Sequence, residues 1–191
     1  MRSFEDWELI SLAKQGNIEA FDILIHRYKD KLLTFCYYLV KDFNSAEDIV
    51  QDTFVRVYRS LNTIKPTAQF KTFLFGIARN LALNQIRNEN RQKKFLSRLL
   101  EFFSNDKQDR FYLNDASSKV LQKEINEILE ASILKLAPQY REVLILRETL
   151  GLDYEQISQV LDCNLGTVKS RLARAREQLR KKLIDKGVIE K

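Results

Sequence analysis

Glycine and proline are scarce in this chain: five Gly and two Pro stand among 191 residues. A sandwich or barrel of many short strands needs turn residues every ~8–12 positions, so this scarcity argues against an all-β fold. Apolar residues make up 45% of the chain and charged residues 30%, values typical of a globular protein that buries a core. The sequence therefore predicts an all-α protein.

The spacing of apolar residues divides the chain into three parts. Helical spacing runs through residues 1–92 and returns over residues 125–191. Between them, residues 93–124 contain the polar runs 105–109 and 114–118. This pattern predicts two small helical domains joined by a flexible linker.

Composition also argues against several functional classes. No apolar run approaches the ~18–20 residues that span a bilayer, and the acidic first eight residues are unlike a signal peptide. We therefore expect a cytoplasmic protein without membrane insertion. Cys36, Cys163 and the single His26 cannot form a tetrahedral metal site by themselves, and no catalytic group accompanies the histidine. The sequence predicts no metal, no cofactor and no enzymatic activity.

Positive charge is concentrated near the C-terminus. Residues 165–182 carry seven bases and one acid, a surplus equal to the net charge of +6 of the whole chain. Such a local surplus is typical of a nucleic-acid contact, although a solvated helix face is the alternative for any run of charges.

Helix signals surround this basic segment. Pro138 suits the first turn of a helix that Gly151 ends. Asp153 and Gln156 form a capping box for a short second helix, and Asn164 can cap a long basic helix. A short helix, a tight turn and a basic helix predict a helix-turn-helix in the C-terminal domain.

On a helical wheel the basic helix has one apolar side and one polar side. The predicted core positions are Val168, Leu172, Ala175 and Leu179. The positions that remain outside include Lys169, Ser170, Arg171, Ala173, Arg174 and Arg176. This is the arrangement of a recognition helix, with an amphipathic bundle helix as the alternative.

Residues 167–179, together with 141–144 and 154–157, resemble the fourth conserved region of bacterial RNA polymerase sigma factors, specifically the extracytoplasmic-function (ECF) group. The resemblance implies that this domain reads the minus-thirty-five promoter element. The contacts predicted on this basis are Arg147, Thr167, Lys169, Ser170, Arg171, Ala173, Arg174 and Arg176.

Residues 46–58 form a second amphipathic segment, with Ser45 as a candidate N-cap. Its predicted core positions are Val50, Phe54 and Val57, together with Leu61 three positions beyond its end. Its other side carries Asp48, Gln51, Asp52 and Val55. The segment resembles the polymerase-binding helix of sigma factors, which implies that these four residues contact the clamp coiled coil of the largest core subunit.

Residues 70–87 combine aromatic and basic side chains, a pattern suited to stacking on unpaired bases and to contacting phosphates. The block resembles the sigma-factor helix that melts and holds the minus-ten element, although Phe73 stands where the family often has Trp and Asn84 where it often has Asp. The contacts predicted here are Lys65, Lys71, Phe73, Arg79, Asn80 and Arg87.

Taken together, these blocks predict a transcription initiation factor whose partners are core RNA polymerase and promoter DNA. Because ECF factors are commonly controlled by anti-sigma factors, the resemblance also implies such a partner. One alternative is a self-standing helix-turn-helix regulator whose N-terminal helices sense a ligand or dimerise. Another is a helical interaction protein without DNA binding, which the localised basic charge disfavours.

Overall fold

The computed structural model describes residues 5–64, 69–100 and 120–190, with side chains described outside 89–100 and 120–124. Every regular element in these ranges is helical, which confirms the all-α prediction. The first domain contains α1 (Asp6–Lys14), α2 (Ile18–Val40), α3 (Phe43–Ser60), a 3₁₀ turn (Leu61–Thr63) and α4 (Phe70–Leu100). The second contains α5 (Val120–Leu134), α6 (Pro138–Leu144), a π-helical turn (Ile145–Thr149), α7 (Tyr154–Leu161) and α8 (Leu165–Asp185).

Helix α2 is the centre of the first domain and packs against α1, α3 and α4. Phe35 of α2 and Phe75 of α4 are fully buried, and their rings meet edge to face with centroids 5.4 Å apart. The four core positions predicted for the second amphipathic segment are all buried, so that prediction is confirmed. The opposite side of α3 is thereby left to solvent.

The N-cap predicted for α3 is wrong. The helix begins at Phe43 and contains Ser45 in its first turn, while Asp42 is the capping residue. The Asp42 carboxylate accepts a 2.8 Å hydrogen bond from the Ser45 amide, which lowers the pKa of Asp42. A carboxylate three residues before that amide satisfies a free N–H of the first turn, so the helix starts earlier than Ser45 alone suggested.

The helix-turn-helix of the second domain has the predicted signals. Asp153 and Gln156 form the capping box of α7, and Asn164 caps α8. Gly151 and Asp162 have φ angles of 63° and 50°, so left-handed residues precede and end α7. Of the predicted core stripe of α8, Val168, Leu172 and Ala175 are buried and Leu179 is half-buried at its edge.

The two domains pack against each other. Helix α4 contacts α7, and α2 contacts α6, so that the buried apolar side chains form one continuous cluster. Helix α4 continues to Leu100, beyond the predicted domain boundary at residue 92, and α5 begins at Val120. Residues 101–119 of the predicted linker lie outside the described residues. Within the described parts of the chain, no helix combines the length and apolar character needed to span a membrane.

Candidate nucleic-acid interface

Helix α8 projects its basic side away from the second domain. Its apolar stripe is buried at three residues, and on the other side Lys169, Ser170, Ala173 and Arg174 are exposed and Arg171 is half-exposed. Ser170 and Ala173, which have small side chains, lie between the cations, so the helix backbone is accessible to the edge of a DNA groove. Five of the eight predicted minus-thirty-five residues therefore share one accessible surface. Arg176, two positions after Arg174, is exposed as well.

Thr167 has a structural role at the start of α8. Its amide and hydroxyl both donate to Asn164 Oδ1, at 2.8 and 3.0 Å. Its carbonyl accepts the Ser170 hydroxyl at 3.1 Å. These bonds hold the first turn of α8 in place, so Thr167 orients the helix end that would approach DNA.

The two remaining arginines of this set are already engaged within the domain. Arg147 donates to the carbonyl of Leu152 at 2.8 Å, and its guanidinium lies 5.1 Å from the ring centroid of Tyr154. Arg176 pairs with Glu148 through two hydrogen bonds of 3.0 and 2.5 Å, which raises the pKa of Arg176. Both members of the Arg176 pair are about half exposed, so a phosphate can compete with Glu148 for the guanidinium.

The acidic side of α3 is accessible. Asp48, Gln51 and Asp52 are exposed, and Val55 is 46% exposed beside them. Tyr58, three residues after Val55, is also exposed, with its ring against Phe21 at a centroid distance of 5.1 Å. Tyr58, which the sequence analysis does not single out, thus extends the exposed apolar surface beside Val55 at i, i+3 spacing.

The aromatic and basic block of α4 is divided between core and surface. Phe73 is half-buried against the core, while Asn80 and Arg87 are exposed. Lys71 and Arg79 are half-buried because the second domain covers them. Lys65 lies outside the described residues.

Polar contacts between described residues join the two domains. Lys71 Nζ donates to the carbonyl of Leu150 at 2.8 Å, and Arg79 Nε donates to Glu142 Oε2 at 3.1 Å. The side-chain amide of Gln156 donates to Gln69 Oε1, and the Tyr37 hydroxyl donates to Glu130 Oε1 at 2.8 Å. Two of the predicted minus-ten residues thus bind groups of the helix-turn-helix domain.

The environment of each cation differs. Burial, and secondarily the charge of Lys31, lowers the pKa of Lys71, whose ammonium meets the free carbonyl at the end of the π-helical turn. Cations are favoured at a helix C-terminus, so this contact satisfies both partners. Glu142 is almost completely buried, with its side chain 5% exposed, and Arg79 is its partner across the interface.

The described thiol and imidazole groups lie in different environments. Among them, no group of three or more His, Cys, Asp or Glu side chains could hold a metal ion. Cys36 is fully buried, and burial raises the pKa of its thiol to about 12. His26 is exposed on α2. The cysteine packs in the core, as an unreactive small residue does.

A helix-turn-helix with an exposed basic recognition helix, joined to a second helical domain, defines the chain as a two-domain DNA-binding transcription factor. Family models then match both halves: Sigma-70 region 2 matches residues 24–92, and Sigma-70, region 4 matches residues 126–179. The chain is 34% identical over 185 residues to the RNA polymerase sigma-H factor of Pseudomonas aeruginosa, covering 94% of each chain. It is 33% identical over 181 residues to the ECF RNA polymerase sigma factor SigW of Bacillus subtilis, covering 92% of this chain and 95% of that protein.

The chain is also similar to two solved structures. CnrH in complex with the cytosolic domain of CnrY has a TM-score of 0.66 at 25% identity, covering 94% of this chain and 97% of that one. The sigma factor RpoE in complex with the anti-sigma factor NepR from Bartonella quintana has a TM-score of 0.68 at 26% identity, covering 85% and 96%. The chain belongs to the ECF family of RNA polymerase sigma factors, which direct the polymerase to promoters. The alternative of a self-standing helix-turn-helix regulator is therefore wrong.

Proposed function

We propose that this sigma factor divides promoter recognition between its domains. Residues 1–92 bind core RNA polymerase and the minus-ten element, residues 125–191 bind the minus-thirty-five element, and residues 93–124 connect them. The observation that carries this proposal is the sidedness of α8, which buries Val168 and Leu172 while leaving Lys169 and Arg174 free.

At the minus-thirty-five element, α8 enters the major groove with its N-terminal half. Arg174 and Lys169 reach base edges, while Arg171 and Arg176 contact phosphates on either side. Ser170 and Ala173 allow close approach. Thr167 and Arg147 hold the helix and the turn before α7 in register, which their hydrogen bonds to Asn164 and Leu152 support.

At the minus-ten element, the aromatic and basic side of α4 receives the melted strand. Phe73 supplies a surface for base stacking, and Lys71, Arg79 and Arg87 contact phosphates. Asn80, which is exposed beside Arg79, offers both a donor and an acceptor to a base edge. Lys65, five positions before Phe70 in the sequence, is assigned to the same element by the family resemblance.

On the polymerase side, Asp48, Gln51 and Asp52 pair with basic groups of the clamp coiled coil of the largest core subunit. Val55 adds a small apolar contact at the edge of the same surface. The exposure of all four on one side of α3, over a buried apolar stripe, supports this assignment.

We also propose that the chain acts in the cytoplasm, without catalysis of its own, and binds an anti-sigma factor. The similar solved structure of RpoE holds that sigma factor in complex with the anti-sigma factor NepR, and that of CnrH holds it in complex with the cytosolic domain of CnrY. That similarity supports an inhibitory partner of this class for the present chain.

A run-off transcription assay tests the proposal. Purified core RNA polymerase is mixed with the chain and a library of randomised promoters, and the transcribed templates are sequenced. We expect an enriched pair of elements at minus-ten and minus-thirty-five spacing. Arg174→Ala should relax the upstream element alone, whereas Arg87→Ala should weaken the downstream element. Transcription that starts without any enriched element, or enrichment that neither variant alters, contradicts the assignment of the DNA contacts.

A further inference from the structure

Two of the cations that the proposed function assigns to the minus-ten strand already have partners in the free chain. Lys71 binds the carbonyl of Leu150, and Arg79 binds Glu142, both on the helix-turn-helix domain. Gln69, at the start of α4, adds a contact with Gln156 of α7. We call these three contacts the interdomain latch.

From this geometry we propose that the latch is autoinhibitory: the C-terminal domain covers the single-strand-binding side of α4 and competes with DNA for Lys71 and Arg79. This inference rests on the proposed role of α4. An ammonium or guanidinium bonded to a protein acceptor must leave it before it can contact a phosphate. Binding of the strand therefore requires that the domains separate.

The latch is selective in what it covers. Both α3 and α8 keep their working sides free, because Asp48, Asp52, Lys169 and Arg174 are all exposed in the closed arrangement. Core polymerase and an upstream DNA element can therefore engage the closed chain. A ligand that binds the open form better shifts the equilibrium toward opening by its differential affinity. The closed arrangement of the domains therefore blocks binding of the minus-ten strand but leaves the other two surfaces accessible.

Glu142 is the buried acceptor of the latch, with its side chain 5% exposed. It is bonded to Arg79 and follows a second buried cation, Arg141, in the sequence. Its loss would leave the Arg79 guanidinium without its acceptor. Glu142 is therefore the side chain on which closure depends most.

The test uses the full chain with spin labels at Asp22→Cys and Lys181→Cys, both exposed, in a Cys163→Ser background. Cys36 is retained because its buried thiol does not react. Electron–electron double resonance should give one narrow distance for the closed chain and a broad distribution for Glu142→Gln. Glu155→Gln removes the same charge from an exposed site on α7 and should leave the distance narrow.

The second measurement is binding of a short, random-sequence, fluorescein-labelled single strand by the same variants. If one tenth of the chain is open, Glu142→Gln should lower the apparent Kd by up to about tenfold, and Glu155→Gln should have much less effect. A narrow distance that survives Glu142→Gln overturns the latch. A broadened distance for Glu142→Gln also overturns the latch if this variant gains no more affinity for the single strand than Glu155→Gln does.

A locked variant keeps the proposal testable if Glu142→Gln unfolds. Gln69→Cys and Gln156→Cys, whose native side chains touch, are joined with a short bismaleimide in the Cys163→Ser background. The joined chain should lose single-strand binding, while the same chain capped with N-ethylmaleimide should keep it. Equal binding by the two forms overturns the latch. If α4 does not bind the single strand, Arg87→Ala leaves strand binding by the capped chain unchanged. That result distinguishes failure of the proposed function from failure of the latch.

Discussion

Arg79 Nε lies 3.1 Å from Glu142 Oε2, and this ion pair joins two domains across 63 positions of the sequence. The side chains are 18% and 5% exposed, so the pair is shielded from water. Removing one member of such a pair leaves an uncompensated charge, which costs more than the pair contributes to stability.

The first prediction concerns this pair. Glu142→Ala should lower the free energy of unfolding by about 3 kcal/mol, because the Arg79 guanidinium loses its buried acceptor. Chemical denaturation followed by circular dichroism measures the loss. The double variant with Arg79→Ala should be less destabilised than the sum of the single variants. Additive losses contradict the contact.

The second prediction concerns the acidic side of α3. Asp48→Lys with Asp52→Lys should abolish association with core polymerase, because both charges would repel the basic partner that we propose. Helicity should be unchanged, since both residues are exposed. Pull-down with purified core enzyme measures binding. Asp30→Lys with Glu127→Lys makes the same charge change at other exposed sites and should bind normally. Equal binding by the two double variants refutes the assignment.

The third prediction separates two arginines of α8. Arg174→Ala should weaken binding to the upstream element by about 1–3 kcal/mol and relax base preference, as loss of a base contact does. Arg176→Ala should weaken binding evenly across sequences and reduce the salt dependence, because a phosphate contact releases counterions. Binding to a library of duplexes at several salt concentrations distinguishes the two. Identical sequence profiles for both variants contradict this division.

A fourth prediction follows from the ion pair between Arg176 and Glu148. Because Glu148 competes with phosphate for the guanidinium, Glu148→Gln should increase affinity for duplex DNA of any sequence. Glu155→Gln, at another exposed site of the same domain, is the matched control. Fluorescence anisotropy at low salt measures both. An equal gain for the two variants indicates a general charge effect and no release of Arg176.

The fifth prediction concerns alkaline pH. Burial raises the pKa of Cys36 from its ordinary value of 9.0 to about 12, and burial with the Glu130 contact raises that of Tyr37 from 10.0 to about 12. The unfolded chain therefore releases these protons first, and the folded state loses stability as the pH rises from about 9 to 12. Denaturation at a series of pH values measures this loss. Cys36→Ala should flatten it, and iodoacetamide at pH 8 should modify Cys163 before Cys36.

Much of the local structure could be predicted from sequence because its determinants are local. The capping box of Asp153 and Gln156 and the apolar stripe through Val168 and Leu172 depend on residues within a few positions of one another. The family resemblance of residues 46–58 and 167–179 predicted two functional surfaces, and the predicted residues Asp48, Asp52, Lys169 and Arg174 are exposed. The error at Ser45 came from a choice between two nearby capping residues, which the carboxylate of Asp42 decided.

What the tertiary structure alone decided is the engagement of side chains across long separations. No sequence periodicity relates Lys71 to Leu150 or Arg79 to Glu142, because each contact forms only when two folded domains pack together. Sequence reasoning assigned Lys71 and Arg79 to DNA by their charge and position on α4. The folded chain supplies competing acceptors from the other domain, since a half-buried cation must be satisfied by whatever group packs against it. The local sequence pattern therefore determined the helices and their surfaces, and only tertiary packing determined which charged side chains are bonded within the free protein.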